Sequence, residues 1–339
     1  MIDQPVTPQL GQNAPLRRLA PLKLGSSKEL SIFILLVVLC AFVSIMSHGK
    51  FLHSDNLRNT SQQIGLYGIF SVGAGIVIIT GGIDLSVGSL LALLGVLLGM
   101  MLTTWHWPWP LAVAAVLAGG AVIGSFHGFL ITRVGLQPFI VTLCGLLSYR
   151  GIARFVSGDT TVGFSSAQGF ETLQALATGH VFGVPVPFLI LLVVALVMGV
   201  VLHKSVFGRY LYAVGRNEEA ARYSGVNTRR IIAGAYIISG LLAGLAAILI
   251  AFYTNSVQAS THGQSYELYG IAAAVLGGCS LRGGEGSIIG ILIGAALLQV
   301  LENLVNLLNV PTSLNDAVIG VVILLGVITD QLLKKRNRA

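Results

Sequence analysis

PFLILLVVALVMGVVLH, residues Pro187 to His203, contains no Asp, Glu, Lys or Arg. A bilayer-crossing helix needs about 20 mostly apolar residues, so this stretch is a membrane span. The chain beyond it is its opposite: AVGRNEEAARYSGVNTRRI, Ala213 to Ile231, carries Arg216, Glu218, Glu219, Arg222, Arg229 and Arg230 within one loop. Such a loop requires a wet surface and points to a partner there.

The same alternation holds along the chain. Its 339 residues are 54% hydrophobic and 10% charged, with a mean hydropathy of +0.84, which excludes a soluble globular domain. In lipid only helices and closed barrels satisfy their backbone polar groups, and continuous apolar runs without strand-like alternation select helices. Apolar segments fall near 30–47, 64–80, 87–103, 111–133, 138–155, 187–203, 231–252, 268–279, 287–308 and 317–333. The expected fold class is therefore all-α, a polytopic membrane protein of about ten spans, some of them short or broken. The weakest span is the eighth, Leu268 to Cys279, which is too short to cross alone; it begins earlier, at Tyr266, or is half of a broken helix.

Lys and Arg accumulate in short cytoplasmic loops. With both termini inside, cytoplasmic segments hold Arg17, Arg18, Lys23, Lys28, Arg133, Arg282, the cations of residues 204–230 and the tail cations Lys334 to Arg338. Outer loops hold only Lys50 and Arg58, with Arg150 and Arg154 at the outer end of the fifth span, where snorkelling to the interface is the simplest account. The formal charge of +7 is then an inner face meeting anionic membrane lipid and calls for no nucleic acid. Residues 1–29 form a polar, proline-containing tail, 30–333 the transmembrane domain and 334–339 a basic tail. No cleavage site comes after the first apolar run, so it is a retained helix rather than a signal peptide.

Catalytic chemistry is hard to find. No H-E-x-x-H, no G-x-S-x-G and no phosphate-cradling loop ending in Lys is present, so the chain cannot hydrolyse ATP through a P-loop. Cys40, Cys144 and Cys279 are odd in number, lie in or beside apolar runs, and imply neither a disulfide nor a metal framework. Thr161-Val162-Gly163-Phe164 begins like a potassium filter, but Ser165 stands where the closing glycine belongs. Trp105, Trp107 and Trp109 need only an interfacial aromatic belt. Gly119, Gly120, Gly124 and Gly128 in the fourth span, with Gly240 and Gly244 in the seventh, read as close helix packing.

Three features are candidates for the transport path. Gly81-Gly82-Ile83-Asp84-Leu85 and Gly277-Gly278-Cys279-Ser280-Leu281 resemble each other, on the same side of the membrane, as either a repeat of broken helices or a chance match among 42 glycines. Asp84 is an acid within a membrane-embedded stretch; it either acts in transport or caps the next helix, with Ser86 and Ser89 satisfying other first-turn donors and Ser280 capping in the same way. Asn303, Asn306 and Asn309, beside Gln299 and Glu302, form a polar stripe that lines a wet path for a hydroxyl-rich solute or glues helices together.

The segments Gly81 to Gly88, Gln137-Pro138-Phe139-Ile140-Val141-Thr142-Leu143, Gly215 to Asn227, and Tyr266-Glu267-Leu268 through Gly284 together resemble the permease subunits of bacterial ABC importers for monosaccharides. The likeness extends over roughly residues 30–333, with one departure at His127, where such permeases more often carry Asn. It implies a ten-helix permease of the inner membrane that pairs with a second permease, as a homodimer or heterodimer. It also implies sugar delivery by a periplasmic sugar-binding protein and drive from a cytoplasmic ABC ATPase that uses the ATP, this chain holding no cofactor. The loop 204–230 would contain the coupling helix that docks on the ATPase, through Gly215, Arg216, Asn217, Glu218, Glu219, Ala220, Ala221 and Arg222, with Gly225 ending it. Gly81, Gly82, Asp84, Ser86, Thr142, Gly277, Gly278, Ser280, Asn303 and Asn306 are the candidate path or helix-breaking residues. The contrasting reading is an ion-coupled secondary transporter with Asp84 as its proton or sodium site.

Overall fold

The computed structural model describes residues 27–167 and 169–311, with a few isolated positions beyond. The expected tails and nearly all of the last span, 317–333, lie outside the described residues. Twelve helices form among the described residues: α1 (Ser27–Met46), α2 (Ser54–Ile79), α3 (Val87–Thr103), α4 (Trp109–Phe129), α5 (Pro138–Val156), α6 (Phe170–Thr178), α7 (Val186–Lys204), α8 (Val206–Arg216), α9 (Glu218–Tyr223), α10 (Thr228–Thr254), α11 (Tyr266–Leu276) and α12 (Ile288–Leu307). Short strands β1 (Thr161–Gly163) and β4 (Ser256–Gln258) pair antiparallel, as do β2 (His180–Val181) and β3 (Val184–Pro185).

Seven of these helices are long and apolar enough to cross a membrane. This is a multi-pass, all-α membrane protein. Its centre is α2 and α10, whose apolar windows are 83% and 78% buried, whereas those of α5 and α7 are 22% buried. Outward residues such as Val122, Leu147, Phe155 and Leu196 are large, apolar and exposed, which in a bilayer satisfies the lipid tails rather than opposing them. The α4–α10 seam is built on glycine: a methyl at Gly120 would overlap the Gly240 carbonyl oxygen, and one at Gly240 would overlap that of Gly120. The packing reading of those glycines therefore holds.

Two apolar helices are short, and both are preceded by non-helical chain. Between α2 and α3 residues 80–86 are turn and irregular backbone; between α10 and α11 a strand and loop occupy 255–265. At 1.5 Å per residue α11 covers about 16 Å, roughly half of the hydrocarbon core, so the half-helix expectation is met. The first turn of α3 touches the second break: a methyl at Gly88 would overlap the Gly263 carbonyl oxygen.

Several expectations change. Arg150 does not snorkel; its Nη1 donates to the carbonyls of Ala259 and His262 at 2.8 and 2.5 Å, clamping the loop ahead of α11, because those carbonyls lack helical partners. Arg154 pairs with Asp159 at 2.6 Å, and its hydrogen bonds hold the Asp159 carboxyl below the usual range. Thr161-Val162-Gly163 is a strand paired to Gln258, Val257 and Ser256, with Phe164 buried beside it, and forms no filter. Asn309 leaves the polar stripe, since α12 ends at Leu307 and Asn309 adopts a left-handed φ of 53°.

Candidate functional site

Three of the sequence-derived segments lie together at one end of the bundle. The first is the turn after α2, where the Gly82 and Gly81 amides donate to Val77 and Ile78 carbonyls at 3.2 and 2.9 Å, with φ of 83° at Gly81. This is the glycine-terminated end in which two orphan carbonyls are satisfied by the residues just past the helix. The turn after α11 repeats it: Cys279 and Gly278 donate to Ala274 and Val275, both at 2.9 Å, with φ of 89° at Gly278. The resemblance between the two turns is thus structural, but shifted by one residue: Gly81 corresponds to Gly278, while Gly277 takes the place of Thr80 as C-cap. Only a residue without Cβ accepts these φ values at low cost.

The third segment is the polar loop, which folds as the helix pair α8 and α9. Ser205 caps α8 by accepting from Gly208 at 3.1 Å, and Asn217 caps α9 by accepting from Ala220 at 2.9 Å. Gly225, with φ of 84°, ends α9 as expected; its amide donates to Arg222 at 3.0 Å, and that of Val226 to Ala221 at 3.1 Å. Ala221 faces inward while Glu218, Glu219, Arg222 and Tyr223 are exposed, Tyr223 at 84%. No ion pair joins either glutamate to Arg222 among the described residues, although the helical spacing allows one. The Arg222 guanidinium instead sits 5.9 Å from the Tyr223 ring centroid.

Gly215 is the joint. A methyl there would overlap the Ile79 carbonyl oxygen and crowd the Gly284 amide at 2.5 Å, and Gly284 donates to that Ile79 carbonyl at 2.9 Å. Gly283 packs its backbone on Gly215 and Gly81, and Gly284 on Arg216. The last turn of α8 therefore packs backbone against backbone on the end of α2 and on Gly283-Gly284, in the loop that follows the Gly278 turn. Beside it opens a cavity of about 740 Å³ whose wall runs from Thr80, Gly81 and Gly82 across Gln137 to Glu218 and Arg222.

Asp84, 4% exposed, lies in the non-helical segment before α3. One carboxylate oxygen accepts from the Ser86 amide at 3.0 Å and its hydroxyl at 2.7 Å; the other accepts from the Ser239 hydroxyl at 3.1 Å. It holds the approach to α3 rather than capping first-turn amides. Ser89 also fails to serve those donors, since its hydroxyl donates to the Ser86 carbonyl at 2.8 Å. The Ile83 carbonyl, orphaned by the break, accepts from Thr142 and Tyr236, each at 3.3 Å. The Thr142 hydroxyl lies closer to the Pro138 carbonyl within α5, at 2.9 Å, so its bond to Ile83 is the weaker of the two. His127 is buried next to this cluster, bonded to the Tyr149 hydroxyl at 2.8 Å. Ser280 caps no helix; its hydroxyl accepts from Arg282 within the turn, at 3.3 Å, and α12 is capped by Ser287.

At the opposite end of α2 Asn303 and Asn306 line a second cavity, of about 320 Å³, across from Asn56, Asn59, Thr60 and Gln63. Asn56 and Asn303 exchange two amide hydrogen bonds, 3.1 and 2.8 Å, across α2 and α12. The α2 side of this cavity was missed because 54–63 is too polar to read as part of a span. Its signal is nonetheless present: Asn56, Asn59, Thr60 and Gln63 have i, i+3, i+4, i+7 spacing.

Comparison with known proteins bears on what this assembly belongs to. The chain is 42% identical to ribose import permease protein RbsC of Escherichia coli (strain K12), over 88% of this chain and 92% of that one. It is 39% identical to the protein of that name from Bacillus subtilis (strain 168), over 91% and 94%. It is 31% identical to xylose transport system permease protein XylH of Haemophilus influenzae, again over 91% of this chain and 98% of the relative. No solved structure matches the chain. Residues 56–327 match the model of a transport family, the branched-chain amino acid transport system permease components, and the chain belongs to that family.

Proposed function

We propose that this chain is the membrane permease subunit of an ATP-driven importer of a monosaccharide, seated in the bacterial inner membrane. The observation that carries this reading is the joint at Gly215, where the exposed helix α9 is linked through the end of α8 to the end of α2 and to the Gly283-Gly284 loop that follows α11. A cytoplasmic ATPase docks on Glu218, Glu219, Arg222 and Tyr223. Its ATP-driven closure pushes α8 against Ile79 and Gly284, and the two turns move as one, opening the cytoplasmic end. The helix α3 and the half-helix α11, each preceded by a break, supply the elements that rock in alternating access. ATP is used by the partner and no cofactor is held by this chain. A periplasmic binding protein delivers the sugar, and a second permease subunit completes the pore. The names of the relatives, which include fructose and allose permeases, support a pentose or hexose as cargo.

Glu218→Lys with Glu219→Lys tests the docking step. Purification of the tagged chain from its native membrane, with mass spectrometry of what accompanies it, is expected to yield a P-loop ATPase. The charge-reversed variant, inserted normally, loses both that ATPase and uptake. An ATPase retained at full yield by the variant removes α9 from the docking surface. Uptake that persists without ATP and collapses with the ion gradient replaces the reading by a secondary transporter.

A further inference from the structure

We propose that the outer cavity between α2, α10 and α12 is a binding site for one monosaccharide, contained within a single permease chain and loaded from outside. This rests on the import reading. Six amides line the cavity, Asn56, Asn59 and Gln63 on one side and Gln299, Asn303 and Asn306 on the other, together with Thr60 and the carboxylate of Glu302. Each carboxamide donates and accepts, which is what a hydroxyl needs, and a lipid tail finds nothing to bind there. Gln299 is 4% exposed as a residue and lines the cavity, so its carboxamide is available to a ligand hydroxyl there. The reciprocal Asn56–Asn303 pair spans the two helices at the mouth, and vicinal hydroxyls can replace it bond for bond.

Tyr67 and Tyr253 add apolar faces for a sugar's C–H surface. The volume of about 320 Å³ is at the low end of small-molecule pockets, about 300–1,000 Å³, and so admits one ring rather than an oligosaccharide. Tyr67 also has its ring centroid 4.9 Å from that of Tyr266 at the start of α11. The floor of the site therefore rests on the half-helix whose other end is the Gly278 turn, so an occupied site bears on the element that the ATPase moves.

The test uses the assembled importer in proteoliposomes, with its ATPase and binding protein, and measures uptake of radiolabelled ribose, xylose, fructose and allose together with ATP hydrolysis. In the Gln299→Leu, Asn306→Leu double variant the sugar moved per ATP is expected to fall about tenfold, the effect of losing one or two good hydrogen bonds. Asn59→Ala, at an exposed position on the opposite wall, gives a second reading should the α12 changes disturb folding, and is expected to lower the same ratio. A ratio unchanged in both variants overturns the site while leaving import intact. An unaltered importer that moves none of the four sugars overturns the import reading, and this proposal with it.

Discussion

The two ends of this molecule are built from opposite materials. At the inner junction Gly81, Gly215, Gly283 and Gly284 bring three backbones together with no side chain between them, and even one methyl at Gly215 would overlap a carbonyl. At the outer cavity long amide side chains face one another across open space, and two of the helices are joined by Asn56 and Asn303. Backbone-on-backbone contact transmits displacement because nothing in it can swing to a new rotamer. Amides on flexible stems adapt to different hydroxyl patterns. One end therefore suits a lever and the other a receptor.

The largest effect expected from this contrast is at the joint. Gly215→Ala forces apart Ile79 and Gly284, so both uptake and thermal stability are expected to collapse. Gly199→Ala, at a glycine in α7 with open space around it, leaves both measurements unchanged or raises stability by up to about 1 kcal/mol through helix propensity. Equal tolerance at the two positions would break the comparison.

Next in size is the strap at the first break. Asp84→Leu leaves the Ser86 amide and the Ser86 and Ser239 hydroxyls without their acceptor, at about 1–3 kcal/mol for each buried group left unsatisfied. Asp84→Asn retains an acceptor and is expected to fall between Leu and the native residue in both melting temperature and uptake. A proton or sodium site at Asp84 would instead make the Asn variant as inactive as the Leu variant while equally stable as the native chain.

The smallest effect belongs to the exposed pair Arg154–Asp159 on the outer rim. Because the bound guanidinium holds the folded carboxyl below its unfolded value, the pair contributes above the ordinary Asp range and is lost as pH falls through it. Asp159→Asn should therefore remove a slight acid sensitivity and leave uptake near neutrality untouched. A large loss of uptake at neutral pH would make the rim part of the binding-protein seat.

Much of the bundle was legible in the sequence because apolar runs of span length have one physical outcome in lipid. The short exposed helix α9 was legible from its acid-to-base spacing and its closing glycine, and the shortness of α11 from its brief apolar run. The features that stayed hidden depended on contacts between segments distant in the chain. Nothing local reveals that Arg150 caps carbonyls of residues 259 and 262, that Gly81 pairs with Gly278 rather than Gly277, or that Thr142 and Tyr236 share the Ile83 carbonyl. The α2 wall of the outer cavity was hidden for a different reason: a polar helical start looks like a loop when spans are sought by hydropathy.

The central claim, that α9 moves both glycine turns together, is tested most directly by amide hydrogen exchange on the assembled importer, with and without a non-hydrolysable ATP analogue. The account predicts that protection changes in concert at Gly81, Gly82 and Gly284, whose amides donate to Ile78, Val77 and Ile79 respectively. Nucleotide binding that alters exchange in α9 while leaving all three of those amides unchanged would contradict it.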